Sequence, residues 1–375
     1  MSKAWENIAK KIEEKEKAVV LRNRGKIPYT AHNHVFDDKS SENEIYWWTN
    51  GFYGGMLWQL YHATGEEIFR TEAEETEKKL DAVFMNYNGM DHDAGFRWLP
   101  TSMAHFRLTK DKRSLNRVLL AAANLAGRFN PNGDFIRAWN DWGDDRDTTG
   151  WAIIDCMMNL PLLYNASEEL KDPRFKAVAM RHADTAMKAF IRKDGSVKHI
   201  VGFDPATGRY LRDYGGQGYK EGSSWTRGQA WGLYGFVLSF IHTGEKKYFD
   251  TAQKIADRFI ERIPESGIIP VDFDQPREPV YTDSTAAAIA ACGLIELARV
   301  EEIDPEQAKK YKSAAEKLLS VLDETDCDYD PSHDELLTKC TAAYHDKAHE
   351  FPIIYGDYYY IEAIWKLTGR EVFIW

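Results

Sequence analysis

Apolar positions fall along this chain in two alternating textures. One is a segment apolar nearly all round; the next has apolar residues on one helical face only. The pairs read LWQLYHATGEEIFRTEAEETEKKL from Leu57, FRLTKDKRSLNRVLLAAANLAGRF from Phe106 and LPLLYNASEELKDPRFKAVAMRHADTAMKAF from Leu160. They continue as FVLSFIHTGEKKYFDTAQKIADRFI from Phe236, LIELARVEEIDPEQAKKYKSAAEKLL from Leu294 and IEAIWKLTGREVFIW from Ile361. The turns between members fall near Thr64, Thr109, Ser167, Thr243, Ile303 and Thr368. An all-round apolar helix belongs inside a fold and an amphipathic one outside. Repeated helical pairs imply a solenoid or a closed ring. A solenoid needs capping repeats with a polar face, which the truncated aromatic end at Trp375 is not. The helical pattern over residues 3–22 supplies the missing outer partner. The expectation is an all-α (α/α)6 barrel of six inner and six outer helices, one domain over residues 1–375.

The segments preceding the inner helices, residues 42–54, 86–100, 132–150, 193–230, 269–285 and 341–357, are rich in Gly, Trp, Asp and Arg. Loops entering one end of a ring converge on one mouth, where function is expected. Trp47, Trp48 and Asn50 stand before the first inner helix; the tryptophans either line the mouth or plug the core. Asp91, His92 and Asp93 precede Gly95-Phe96. The longest loop carries His199, Gln217, Trp225, Arg227, Gln229 and Trp231. In it DPATGR, Asp204 to Arg209, reads as a turn between two short strands, and Ser223-Ser224 as a cap for a helix starting near Trp225. Arg227 and Trp231, four apart, share a helical face. An Arg on so apolar a helix needs an anion, from the protein or from a ligand.

The stretch AWNDWGDDRDTTGWAIIDCMMNLPLLYN, Ala138 to Asn165, combines Trp139 and Trp142 with Asp141, Asp144, Asp145 and Asp147. Asp147 or Thr148 is a plausible N-cap, and the run from Trp151 to Leu163 then reads as a buried helix. Asp155 interrupts that run. A carboxylate there either is hydrogen-bonded to a neighbouring helix or takes a raised pKa, which suits a general acid near neutral pH.

Composition narrows the partners. A net charge of −11 argues against nucleic acid. The charged N-terminus lacks a signal-peptide core, and no segment approaches a membrane span. Cys156, Cys292, Cys327 and Cys340 are scattered without a CxxC pair and read as free thiols of a reducing, cytoplasmic compartment. Adjacent residues in a loop rarely point at one ion, so Asp91-His92-Asp93 is not taken as a metal site; no metal or other cofactor is expected. The 12 Trp, 19 Tyr and 18 Phe suit sugar stacking or simply a large helical core. There is no nucleophile elbow and no phosphate loop.

Taken jointly and in order, WWTNGF, HDAGF, AWND, IIDCMMNLPLLY, QGYKEGSSWTRGQAWGLYGF and YGDYYYIEAIWKL resemble the bacterial unsaturated glucuronyl hydrolases, glycoside hydrolase family 88. The resemblance spans essentially the whole chain and implies an (α/α)6 barrel. It implies release of the 4,5-unsaturated uronic acid from the non-reducing end of lyase-generated oligosaccharides of glycosaminoglycan type. The chemistry it implies is hydration of the C4=C5 vinyl ether rather than protonation of the glycosidic oxygen. Asp155 would be the acid and then the base for water, and Asp93 the second carboxylate. His199, Gln217, Arg227 and Trp231 would line the uronate subsite, with Trp48 and Trp139 as aromatic walls. Members preferring sulfated disaccharides carry a Ser-x-x-Ser-x-Lys pattern. Here the stretch Ala342 to Lys347 keeps only Lys347, which puts sulfate preference in doubt. The unsaturated rhamnogalacturonyl hydrolases share fold and acid, but HDAGF and RGQAW favour the glucuronyl family. A sugar epimerase on this fold would need two well-placed histidines, and only His199 qualifies. A non-catalytic sugar-binding barrel would have no need of Asp155. A monomer or weak homo-oligomer is expected.

Overall fold

The computed structural model describes residues 3–141 and 146–375. Trp142, Asp144 and Asp145 lie outside the described residues. The helices, in chain order, are α1 (Lys3–Arg22), α2 (Phe52–Thr64), α3 (Glu67–Leu80), α4 (Ala94–Trp98), α5 (Ala104–Thr109), α6 (Lys112–Gly127) and α7 (Leu160–Leu170). They continue as α8 (Pro173–Phe190), α9 (Thr226–Thr243), α10 (Lys246–Arg262), α11 (Ser284–Ala298), α12 (Pro305–Thr325) and α13 (Ile354–Thr368). A π-helical turn, Leu99–Met103, joins α4 to α5 into one inner rod.

The inner rods pack side by side in a closed ring: α2 on the α4–α5 rod, that rod on α7, then α9, α11, α13 and back to α2. Outside them lie α3, α6, α8, α10 and α12, and α1 covers α13 as the sixth outer helix. The ring is an (α/α)6 barrel, closed as the sequence pattern predicts. Inner helices α9 and α11 are buried from Thr226 to Ser239 and from Ser284 to Leu297. In α10 the buried residues, among them Tyr248, Phe249, Ala252, Ile255, Ala256 and Phe259, form one stripe.

The repeat has a physical signature at its turns. Thr64, Thr109, Thr243 and Thr368 each end an inner helix, and each hydroxyl donates to the carbonyl four residues back, at 2.6 to 2.9 Å. A left-handed residue follows each: Gly65, Lys110, Gly244 and Gly369. This residue closes the last helical turn and reverses the chain into the outer helix. The expected turns at Ser167 and Ile303 are displaced. Helix α7 runs on to Leu170 and α11 stops at Ala298.

Two local expectations fail. The run from Trp151 is not a helix behind an Asp147 cap. Trp151–Ile153 is a strand, Ile154–Met158 a 3₁₀ turn, and α7 begins only at Leu160, with Pro161 in its first turn. The β-branched Ile153 and the chain of Ile200–Phe203 favour pairing here, and the two strands are antiparallel with Tyr210–Tyr214 alongside. That second pair is the strand–DPATGR–strand unit expected from the sequence. Asp147 instead accepts from the backbone of Thr149, two residues on. Nor do Ser223 and Ser224 cap α9. Trp225 holds the cap position without a side-chain bond, and the Ser223 hydroxyl donates to Asp272 at 2.6 Å. Among the described residues, no helix is long and apolar enough to cross a membrane.

Candidate active site

All six inner rods start at the same end of the ring, so their N-termini and the loops before them form one mouth. Asp93 sits immediately before α4, and Asp155 on the 3₁₀ turn before α7. His199 immediately precedes the central strand of the three-stranded sheet, and Arg227 is in the first turn of α9.

The Asp155 side chain is 15% exposed, and its Oδ1 has no hydrogen-bond partner among the described residues. Burial lifts its carboxyl from 3.8 to about 7, against the pull of Arg227 and a backbone N–H. Facing it, His199 Nε2 lies 3.9 Å from Asp155 Oδ1. His199 Nδ1 accepts a 3.0 Å bond from the backbone N–H of Gln217. An acceptor at Nδ1 places the ring proton of a neutral imidazole on Nε2, aimed at Asp155. Burial holds the imidazole pKa down near 3, so the ring is neutral at pH 7. This contact depends on Gly216, at φ +58°, where a Cβ would sit 1.9 Å from His199 Nδ1.

Asp93 is coupled to Asp155 through Asn159. The Asn159 amide donates to the backbone carbonyl of Asp155 (3.1 Å) and reaches Asp93 Oδ1 at 3.4 Å. Its own oxygen accepts from Phe96 N–H at 2.8 Å. Gly95 permits this approach, since a Cβ there would lie 2.6 Å from the Cα of Asn159. Burial first, then the charges of Asp91 and Asp155, push the Asp93 carboxyl well above its ordinary value. Two like groups in one site do not ionise together. A raised pKa alone does not mark this site, because burial also lifts Asp357 to about 7. Asp357, however, accepts a 2.6 Å bond from Leu337 N–H, whereas Asp155 Oδ1 and His199 Nε2 face each other with no hydrogen-bond partner among the described residues.

Arg227 has its anion inside the protein. Its Nη1 donates to Asp283 Oδ2 and to the carbonyl of Thr341, both at 2.6 Å, and Nη2 donates to the Ala342 carbonyl. Its guanidinium lies over the rings of Trp225 and Tyr355. Gln217 Nε2 donates to the same Ala342 carbonyl at 2.9 Å, so Asp155, His199, Gln217 and Arg227 form one connected floor. Trp48 packs on Phe96 and Tyr355, and Trp231 on Phe96 and Tyr359. Trp231 is fully buried and supports the floor from beneath rather than lining the uronate subsite as the resemblance implies. Trp139 packs against Trp151, the rings tilted at 53°, in a separate cluster with Ala138, Ile153 and Ile200. Lys347 is exposed on the rim loop and takes no part in the contacts joining the others.

Sequence reading passed over Asn159, Asp283 and Tyr355. Asp283 carried a signal, as Asp-Ser-Thr ahead of an apolar run is an N-cap pattern, and it does cap α11 through Thr285 N–H. Asn159 stands four residues after Asp155, but the bond that gives it a role joins it to Asp93, 66 residues away in sequence. In the loop Asp91 to Asp93, Asp91 pairs with Arg97 at 2.7 Å and His92 Nε2 lies 3.5 Å from Asp93.

A family model described as Glycosyl Hydrolase Family 88 matches residues 12–362. The chain belongs to glycosyl hydrolase family 88. It is 37% identical over 350 residues to an unsaturated glucuronyl hydrolase of Bacillus sp. (strain GL1), covering 91% of this chain and 92% of that protein. It is 34% identical over 323 residues to an unsaturated chondroitin disaccharide hydrolase of Streptococcus pyogenes serotype M1, covering 84% and 80%. The crystal structure of the Bacillus enzyme, described as responsible for glycosaminoglycan degradation, superposes with a TM-score of 0.88 at 33% identity, covering 96% of each chain. The family 88 member is thus a glycoside hydrolase, as the motifs predicted.

Proposed function

We propose that this family 88 barrel releases 4,5-unsaturated uronic acid from the non-reducing end of glycosaminoglycan-type oligosaccharides produced by polysaccharide lyases. The observation that carries the reading is Asp155: a buried carboxyl with a pKa near 7 and an unpartnered oxygen facing the Nε2 of a neutral His199. Such a group is half protonated at neutral pH and delivers a proton without a solvent shell to strip.

In this reading Asp155 protonates C4 of the C4=C5 vinyl ether. Positive charge develops at C5 and the ring oxygen. The Asp155 carboxylate then takes a proton from the water that adds at C5, and the hemiketal collapses, expelling the aglycone. Asp93 holds substrate hydroxyls and tunes Asp155 through the Asn159 link. His199 and Gln217 contact the uronate. Arg227 attracts its carboxylate at short range while bound to Asp283, and the converging helix N-termini add positive potential. Trp48, Trp139, Trp231 and Lys347 complete the substrate-binding set, with Trp231 acting from beneath. The same reading has one catalytic domain over residues 1–375, a monomer or weak homo-oligomer, in the cytoplasm. No metal or cofactor takes part in the chemistry.

The test is loss of the conjugated-alkene absorbance on unsaturated disaccharides from hyaluronan, chondroitin, heparin and pectin, beside saturated ones of matched linkage. Turnover of the unsaturated glucuronyl sugars alone is expected. Comparable release from a saturated glucuronide would replace the mechanism with acetal hydrolysis, and a preference for the pectin fragment would favour rhamnogalacturonyl hydrolysis.

A further inference from the structure

Where the ring closes, a second chemically distinct cluster lies on elements other than those carrying Asp155. His34 is on a tight hairpin turn between the two-residue strands Ala31–His32 and Val35–Phe36, just after α1. Asp328, His333 and Glu335 are on the loop that follows α12. We propose that His34, Asp328, His333 and Glu335 form a binding site for a divalent transition-metal ion of the zinc type, which ties the beginning of the chain to its final outer loop.

The geometry supports an ion. One donor atom from each of the four residues lies within 4.8 Å of the others. His34 Nδ1 is 2.6 Å from Glu335 Oε1, and His333 Nδ1 is 2.7 Å from Asp328 Oδ2. The two imidazoles stack, with centroids 3.6 Å apart and planes at 9°. An independent observation is Glu335, whose side chain is 5% exposed and whose Oε2 has no hydrogen-bond partner among the described residues. A buried carboxylate oxygen without a donor is costly, and a cation shared with His34 would satisfy it.

The donor set chooses the class of ion. Two imidazole nitrogens and two carboxylates make a borderline-soft N2O2 set. It suits zinc and its neighbours better than magnesium, which prefers an all-oxygen octahedron. Zinc–ligand bonds of about 2.0–2.2 Å put tetrahedral donors roughly 3.4 Å from one another, so the two close pairs must open and the longer pairs draw in. His34, the one half-exposed member, sits on the hairpin turn and is free to do so. Two carboxylates would neutralise the ion. Of the cations facing the cluster from α1, Lys15 reaches one proposed ligand, at the Asp328 oxygen that does not face His333, and Arg22 pairs with Asp334 instead. Lys15 donates to the Asp330 carbonyl and lies 3.6 Å from Asp328 Oδ1. Arg22 is bound to Asp334 and to the carbonyls of Pro331 and His333. The ion would bridge two segments some three hundred residues apart in sequence, across the seam where α1 completes the ring. Its role is structural, and it adds nothing to the proton chemistry at Asp155.

The test uses full-length, tag-free protein stripped with EDTA and dialysed, titrated with zinc chloride by calorimetry and followed by thermal unfolding, with magnesium chloride as control. One zinc per chain and a rise of several degrees in the unfolding midpoint are expected, with no response to magnesium. Turnover of the stripped protein well below its midpoint should equal that of the loaded protein. His34→Ala and His333→Ala, each first shown to be folded by circular dichroism, should weaken zinc binding at least about tenfold and remove the rise in midpoint, with turnover unchanged. Absence of saturable binding overturns the proposal. So does binding that survives both substitutions, which would place the ion elsewhere, or a midpoint that zinc does not move.

Discussion

At the end of the barrel away from the mouth, Lys366 Nζ lies 2.6 Å from Glu296, 3.4 Å from Glu371 and 3.5 Å from Glu362. Glu362 also accepts from Trp375 Nε1 at 2.8 Å and from the Tyr234 hydroxyl. At the mouth, Asp155 and Asp93 are also largely removed from water, yet Arg227, the cation that acts on Asp155, is bound to Asp283. The consequences diverge. Burial would raise Glu296, but Lys366 and Arg299 hold it below its ordinary value. Burial raises Asp155 to about 7, and Arg227 does not reverse it. Burial without a committed counter-ion therefore raises a carboxyl, and what sets Asp155 apart is the oxygen it turns to His199 with no hydrogen-bond partner among the described residues. One end uses charge to fix the structure, and the other keeps a proton in place at neutral pH.

The largest test of this contrast is Asp155→Asn. Loss of a general acid–base group is typically worth about 10²–10⁴-fold, and here one group serves twice, so kcat should fall by at least the upper part of that range. Stability should not fall with it. The folded pKa is raised, so between the ordinary value of 3.8 and about 7 the folded state holds the proton more tightly. Stability is thus lost as pH rises through that window, and an amide escapes the loss. The variant should melt no lower than the parent above pH 7. Near-parental turnover in a folded Asp155→Asn protein removes the mechanism. Asp93→Asn should be severe as well; a mild effect would reduce Asp93 to a structural role.

The opposite end should respond in the opposite way. Lys366→Met leaves Glu296, Glu362 and Glu371 buried without their cation, and removing one partner of a buried pair costs about 3–5 kcal/mol. The unfolding midpoint should drop sharply. Below that midpoint, kcat on an unsaturated disaccharide should stay within a few-fold of the parent. A kcat loss as large as that of Asp155→Asn in folded Lys366→Met protein would end the separation of the two clusters.

These differences bear on what could be read from residues alone. The alternation of all-round apolar and one-faced helices carries the ring, because an inner helix touches neighbours on every side and an outer one does not. The Thr-Gly turns carry its period. Asp155 was legible as an unexpected carboxylate in an apolar run. Its backbone was not: hydrophobic periodicity does not separate a short buried strand from a buried helix, and pairing with Ile200–Phe203 decided in favour of the strand. Arg227 plainly needed an anion, but the choice between Asp283 and a ligand depended on a contact between residues far apart in sequence. Asn159 was hidden for the same reason, since its bond to Asp93 exists only once two loops meet at the mouth.

A pH profile sharpens the comparison further. Asp155 must carry its proton at the start of each turnover, so kcat/KM should fall about tenfold per pH unit above an apparent pKa near 7. That apparent value belongs to the coupled Asp155–Asp93 pair rather than to one residue. His199, held near 3, stays neutral throughout and adds no limb. The Lys366 cluster contributes no change in this window either, with Glu296 held low and Lys366 held high by its three glutamates despite burial. A profile flat from pH 6 to 9 would mean that Asp155 is not the acid.

The smallest expected effect lies at the rim, where charge is neither buried nor networked. Unsulfated disaccharides should be modestly better substrates than sulfated ones. The chain carries a net charge of −11, so an added sulfate is repelled at long range unless local cations offset it. Arg227 is bound to Asp283 and to the carbonyls of Thr341 and Ala342, which leaves no donor of its Nη1 directed at a sulfate. On the rim loop, Ala342 and His345 stand where the sulfate-preferring pattern has serines. The Ala342 carbonyl is taken by Gln217 and Arg227, and His345 Nε2 donates to the Tyr219 carbonyl at 2.7 Å. Lys347 remains, exposed, and an exposed pair of this kind is worth about 0–1 kcal/mol. It cannot outweigh the repulsion and the lost hydroxyls, so kcat/KM should favour the unsulfated sugar by no more than about fivefold at moderate salt. The gap should narrow as salt screens the net charge. Ala342→Ser with His345→Ser, which restores the pattern around Lys347, should reverse the preference. A clear preference of the parent for the sulfated sugar would show that sulfate is held at another place on the rim.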